Sequence, residues 1–146
     1  MRKHMTGAIA VELGILMIPL VTLAFGITEY GRAIYSYNTL AKSVRDAARY
    51  LTSHTPGDPQ AHADAQCMAA FGNADCTGTP LAPGLTQAMV QTCDAVLTCP
   101  GVTTSVTTGT GTINLVAVRI VGYPYDSVVE WVMPDMTFNN IAVYMR

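Results

Sequence analysis

The sequence predicts an α+β fold: one long N-terminal helix packed on a small antiparallel β-sheet, with short helices beside it. Three observations lead there. Residues 8–28 read AIAVELGILMIPLVTLAFGIT, with Glu12 the only charge. A helical pattern continues past that run as an amphipathic stripe. Beyond Cys99, β-branched residues gather into short runs broken by turn residues.

The chain has 146 residues, enough for one modest core. Half of them are hydrophobic, only 12% are charged, and the mean hydropathy is +0.30. A soluble domain is about a quarter charged, so this chain is too apolar for that class. The same balance excludes intrinsic disorder. A net charge of −2 without a basic stripe argues against nucleic acid as a partner. The charge is also split: residues 1–49 hold six of the eight Lys/Arg and three of the ten acids, and residues 50–146 hold the rest. The two parts are therefore expected to meet different surroundings.

The apolar run comes first. At 1.5 Å per residue it spans roughly 31 Å as a helix, which matches a hydrocarbon core of about 30 Å. It has no polar face, so a membrane segment over 8–28 is the expected reading, and lipid a partner. Pro19, Gly14 and Gly26 are tolerated in such helices. A cleaved secretory signal competes with a retained anchor, since the head Met1–Gly7 is basic and Ala24-Phe25-Gly26 offers a small-x-small site. Glu12 weighs against a plain signal. An acid at membrane depth costs up to about 3 kcal/mol and so calls for a partner, unless it snorkels to the headgroups.

Residues 29–53 carry the helix onward. Tyr30, Tyr37, Val44 and Leu51 recur every seven residues, with Ala33/Ile34, Leu40/Ala41 and Ala47/Ala48 between them; Tyr30, Ile34, Tyr37, Leu40, Val44 and Leu51 are the expected helix interface. Glu29/Arg32 and Lys42/Asp46 are placed for helical ion pairs on exposed positions.

Residues 54–146 form the expected α+β head. Asp58-Pro59 reads as cap and first turn of a short helix that runs through Phe71 and ends at Gly72. A second short helix is expected from Leu85 to Cys93. Val102–Thr108, Thr112–Tyr123 and Ile141–Arg146 read as the three strands of one sheet, with a hairpin turn at Gly109-Thr-Gly111. Ile113, Leu115, Ala117, Val121 and Tyr123 would share one face, interrupted by Arg119. A helical turn is expected within Asp126–Met133.

Cys67, Cys76, Cys93 and Cys99 all fall in this acidic part, without the C-x2-C spacing of a zinc site. Two disulfides are favoured over free thiols. The three connectivities stay open, with Cys67–Cys76 and Cys93–Cys99 needing the least rearrangement. A bare count of Lys/Arg around the apolar run would put the head in the cytoplasm. Disulfides require an oxidising compartment and put it outside. His4, His54 and His62 are scattered, Gly109-Thr-Gly111 lacks the rest of a phosphate loop, and Asp126, Glu130 and Asp135 read as solvated acids. The sequence predicts no enzyme, no metal and no cofactor.

Met-Thr-Gly7-Ala8-Ile-Ala-Val-Glu12, then Phe25-Gly-Ile-Thr-Glu29-Tyr-Gly-Arg32 and Ala47-Ala-Arg49-Tyr resemble the TadE-like pseudopilins, minor pilins of the tight-adherence (Flp-type) branch of type IV pilus machinery. The resemblance extends to Leu115–Tyr123 and Asn140–Arg146. It implies a pilin-like fold and a leader of residues 1–7, removed by a membrane prepilin peptidase between Gly7 and Ala8. It implies further that Glu12 pairs with the amine of a neighbouring subunit; the pairing within one chain, Ala8 to Glu12, is the competing geometry. Leu13 departs from the aromatic residue often found after this glutamate. The implied protein is single-pass in a bacterial inner membrane, N-terminus cytoplasmic and head periplasmic, working with other pilins and the assembly platform. The competing reading is an anchored or secreted disulfide-containing envelope protein that binds an unrelated partner.

Overall fold

The computed structural model describes residues 5–146, with side chains from Gly7 onward. Met1–His4 of the expected leader lie outside the described residues. From Met5 to Thr52 the chain is a single α-helix, α1, of 48 residues, roughly 72 Å long. It passes through Pro19, whose missing N–H leaves the carbonyl of Ile15 without its helical donor. Ser53 and His54 close its C-terminus through N–H bonds to the carbonyls of Tyr50 and Leu51.

α2 (Pro59–Phe71) starts and stops where local chemistry dictates. The Asp58 carboxylate accepts the Gln60 N–H at 3.0 Å, and Pro59 occupies the first turn, where no donor is needed. Gly72 takes φ +80° and returns its N–H to the Met68 carbonyl, a conformation costly for any residue with a Cβ. The buried residues of α2 are mostly alanines, Ala61, Ala65, Ala69 and Ala70, so the helix lies close against α1.

Seven strands follow: β1 (Val90–Cys93), β2 (Ser105–Thr108), β3 (Gly111–Asn114), β4 (Val116–Ile120), β5 (Tyr123–Tyr125), β6 (Met136–Phe138) and β7 (Ile141–Met145). They make a three-stranded antiparallel sheet in the order β1-β4-β7 and two separate hairpins, β2-β3 and β5-β6. β4 and β7 pack on α1, and β1 packs on α2.

The sheet differs from expectation in three ways. Its first strand is β1, inside the segment expected to be helical from Leu85 to Cys93. Only Gln87–Met89 forms a 3-10 turn there, because Val90–Cys93 find backbone partners along Ala117–Ile120. Residues 105–108 pair only with 111–114, outside the main sheet. And the expected strand from Thr112 to Tyr123 is cut into three, so its odd residues do not share a core face. The inner face of β4 is Val116, Val118 and Ile120, opposite Met145, Val143 and Ile141 of β7. Arg119 lies on the other face, where its Nε donates to Gln91 across the strand pair at 2.8 Å. Gly122, at φ +70°, then redirects the chain so that Tyr123 is buried from β5.

The core joins Leu40, Val44, Ala47, Ala48 and Leu51 of α1 to the α2 alanines, Leu85, Val90, Val118, Ile120, Tyr123, Tyr125 and Ile141. The expected stripe is thus half right. Leu40, Val44 and Leu51 are buried, whereas Tyr30 is 65% exposed and Ile34 and Tyr37 are also exposed. The buried positions at that end are Ala33, which the stripe included, and Glu29, one step before Tyr30. Tyr37 meets the core through a T-shaped contact with Phe138, the ring centres 5.8 Å apart. In unfolding of the detergent-solubilised protein, Leu40→Ala is expected to cost about 3 kcal/mol, by lost burial and a residual cavity. Tyr30→Ala is expected to stay within about 0.5 kcal/mol. Equal losses at the two sites would contradict this core.

Candidate functional site

Before Glu29, α1 is covered only in part, where the segment around Trp131 and Val132 passes Gly26 and Met17–Thr22. From Gly7 through Thr28 none of its residues is buried, and Ile9, Val11, Leu13, Ile15, Leu16, Ile18, Leu20, Leu23 and Ile27 all lie open. The helix is long and apolar enough to cross a membrane, and its most apolar 18-residue stretch has a mean hydropathy of 2.3. Within this bare segment stand Gly7, Ala8 and Glu12. Ala8 and Glu12 are one turn apart and both exposed. Glu12 takes part in neither of the ion pairs found among the described residues, Glu29–Arg32 and His62–Asp94. A Cβ built on Gly7 meets nothing within 4 Å, so packing within the chain does not require glycine there.

Glu29 marks the end of the bare segment. It is only 2% exposed. Its Oε1 accepts from Arg32 at 2.8 Å, from the Tyr125 hydroxyl at 2.9 Å and from the Val128 N–H at 3.2 Å. The Arg32 guanidinium also lies over the Tyr125 ring, 5.7 Å from its centre. Burial works to raise the Glu29 pKa, but these donors together outweigh it and hold the carboxyl below its ordinary value. Tyr125 is pushed up, first by burial and then by its bond to the carboxylate. Sequence reading put Glu29 on an exposed face paired with Arg32 alone. Its other partners come from nearly a hundred residues away, and no local signal marks them.

A second buried polar group escaped the sequence altogether. His62 of α2 bridges Thr92 Oγ1 (Nδ1, 2.9 Å) and Asp94 Oδ2 (Nε2, 2.9 Å). With a neutral ring this network assigns the proton to Nε2, which donates to the carboxylate while Nδ1 accepts from the hydroxyl. Asp94 also accepts N–H groups from Gly57, Val96 and Leu97. Hydroxyl, imidazole and carboxylate stand in the order of a hydrolase triad, but all three residues are buried and the carboxylate is saturated by backbone donors. The arrangement ties α2 and β1 to the turn at Gly57, which has no room for a side chain against Val96.

Cys67 is bonded to Cys76 and Cys93 to Cys99, with Cα separations of 4.7 and 5.7 Å. Both bridges are local. Among the described residues no group of three or more His, Cys, Asp or Glu is placed to hold a metal.

Burial works to raise the Asp94 pKa, yet the N–H groups of Leu97 and Gly57, the His62 ring and the Val96 N–H bring it from 3.8 to about 2. A depressed carboxylate stabilises the fold above its unfolded pKa, and that contribution fades as pH falls through the folded one. Asp94 is therefore expected to contribute about 2 kcal/mol at neutral pH, lost between about pH 4 and pH 2. Denaturant unfolding of Asp94→Asn beside the parent should show a gap at pH 7 that narrows toward pH 2. A gap independent of pH would rule this out.

No curated protein and no solved structure matches the chain. The resemblance drawn from the sequence at Leu115–Tyr123 and Asn140–Arg146 lies outside what a family model recognises. One family model does match, that of TadE-like protein, and it covers residues 7–49, from the glycine of the expected cleavage step through most of α1.

Proposed function

We propose that the chain is a membrane-anchored minor pilin, or pseudopilin, that supports assembly of a tight-adherence (Flp-type) pilus. The observation that carries this reading is the division of α1, which the TadE-like family model matches from residue 7 to 49: its first half is bare and apolar, and its second half is the spine of a folded head. Residues 1–7 are then a leader removed by a prepilin peptidase. Residues 8–28 cross the inner membrane, 29–53 continue the helix, and 54–146 stand on the periplasmic side. The two disulfides suit an oxidising compartment.

The proposed chemistry of the bare segment is electrostatic. Cleavage after Gly7 frees an α-amino group on Ala8, and a cation at membrane depth needs a counter-charge. The Glu12 carboxylate supplies it in a medium where the attraction is stronger than in water. Pairing between the amine of one subunit and Glu12 of the next sets the offset of two helices as they leave the bilayer. The open space around Gly7 fits a role outside packing, because a peptidase needs close approach to the backbone there.

Intact mass and N-terminal sequencing of protein from native membranes test processing. The expected start is Ala8. A start at Met1 would favour a plain anchor, and a start at Ile27 would mean a secretory signal. Glu12→Ala is expected to insert normally yet to lower piliation and surface adherence. Normal piliation in that variant would remove the pairing role.

A further inference from the structure

The hairpin β5-β6 carries a loop, residues 126–135, that reaches down the bare half of α1. Its base is tied twice. The Ser127 N–H donates to Asp135 at 2.8 Å, closing the loop on itself, and the Val128 N–H donates to Glu29. Beyond these ties, Val132 and Met133 return N–H bonds to the Val129 carbonyl, making one helical turn. A Cβ on Gly26 would lie 3.5 Å from Val132. Farther down, Trp131 joins Met17, Ile18, Val21 and Thr22 around a shallow apolar cleft of about 310 Å³. From Gly7 to Thr28 only Val21, Thr22 and Gly26 are half-buried, and all three lie where the loop passes.

That position excludes lipid from the same stretch. Trp131 meets α1 seven to twelve residues before Glu29, roughly 10–18 Å along the axis. A hydrocarbon core of about 30 Å laid over residues 8–28 has its middle at that level. An irregular turn with open backbone groups and the Glu130 carboxylate is not stable there. Loop and bilayer therefore compete for one face of one helix.

The loop is seated without being locked. Trp131 keeps 68% of its surface exposed and Val128 74%, so little apolar area holds the tip down. The Ser127 hydroxyl, buried at the base, finds no partner among the described residues, a cost that the seated form carries. The two ties lie at Ser127, Val128 and Asp135, outside the tip.

Resting on the membrane reading of α1, we propose that residues 129–133 are a strap that exchanges with lipid. With residues 8–28 in the bilayer, the tip stands off α1 on the head's aqueous side. When the helix leaves the bilayer, the tip closes over Met17–Gly26 and shields part of a surface for which water is a poor solvent. The seated loop is the second of these states. The ties to Asp135 and Glu29 persist in both, so the strap stays within reach of its seat. Lipid displaces it because lipid covers the whole circumference of the helix and the strap covers one face. Glu130 keeps the open tip in water.

The full chain with Ile18→Cys and Trp131→Cys tests this, because the native cysteines are paired and only the new thiols react. It is purified in mild detergent, then either reconstituted in phosphatidylcholine vesicles or diluted below the critical micelle concentration without lipid. A short bismaleimide is added. Intact mass is expected to show the bridge within one chain about tenfold more often after dilution than in vesicles. Chain bridged before it meets vesicles should stay extractable by alkaline carbonate. A Trp131→Cys chain capped by the same reagent should integrate. Equal bridging in both settings, or in neither, overturns the strap. Bridging only between chains would replace it with a second copy. If the capped control also stays extractable, the membrane reading falls together with the strap. In the unaltered chain Trp131 is the only tryptophan, so its fluorescence reports on this loop alone. In vesicles of acyl-brominated lipid its emission should stay unquenched and open to aqueous iodide. Quenching by the bromine overturns the strap and leaves the anchor standing.

Discussion

The Glu29 carboxylate is the constraint on which the arrangement of the molecule turns. An acid at the end of a bare apolar helix has two ways to be stable: remain solvated, or be enclosed with enough donors to offset its desolvation. Here it is enclosed. Arg32 supplies one donor from the next turn of the same helix, and Tyr125 and Val128 supply two more from the head. The bond to Val128 also fixes where β5 ends and the following loop begins. Removal of the carboxylate would leave the Tyr125 hydroxyl with only its longer contact to the Glu29 carbonyl, at 3.3 Å. The meeting of helix and head is therefore specified by polar geometry at its lower edge and by apolar packing above it.

What the sequence showed and what it hid divide along the range of the interactions. α2 was readable to the residue because an aspartate cap, a proline in the first turn and a glycine at the end act within a few positions of themselves. The length and bareness of the first half of α1 follow from composition alone. β1 was read as helix because its strand character comes from Ala117–Ile120, a partner over twenty residues away. The stripe on α1 failed at Tyr30 and Ile34 for a related reason. A seven-residue count singles out tyrosine as the buried member and glutamate as the solvated one. Distant donors reversed that choice, and the 3.6-residue helix accommodates the shifted phase. Arg119 was the better guide in the sheet: a charged residue at an odd position meant that the main core lies on the even face, with Val118 and Ile120.

The His62–Thr92–Asp94 group was invisible for the same reason, since each member is unremarkable where it stands in the chain. The cysteines behave oppositely. Their pairings close loops of nine and six residues, so each removes only a small part of the unfolded chain's freedom, about 2–3 kcal/mol. Neither crosses from α1 to the sheet. The head is stapled within itself, and its grip on the helix is left to non-covalent contacts.

Glu29 also divides α1 into two equal lengths, 24 residues from Met5 to Thr28 and 24 from Glu29 to Thr52. Mechanically the helix is a lever with arms of about 36 Å and its fulcrum at the buried carboxylate. The upper arm is stiffened by the sheet and α2, so a tilt of the lower arm swings the whole head through a comparable arc. Pro19 lies near the middle of the lower arm, where a hydrogen bond is missing and bending is cheapest. A side load on the head is thus absorbed below Glu29, while the packed half moves as one body.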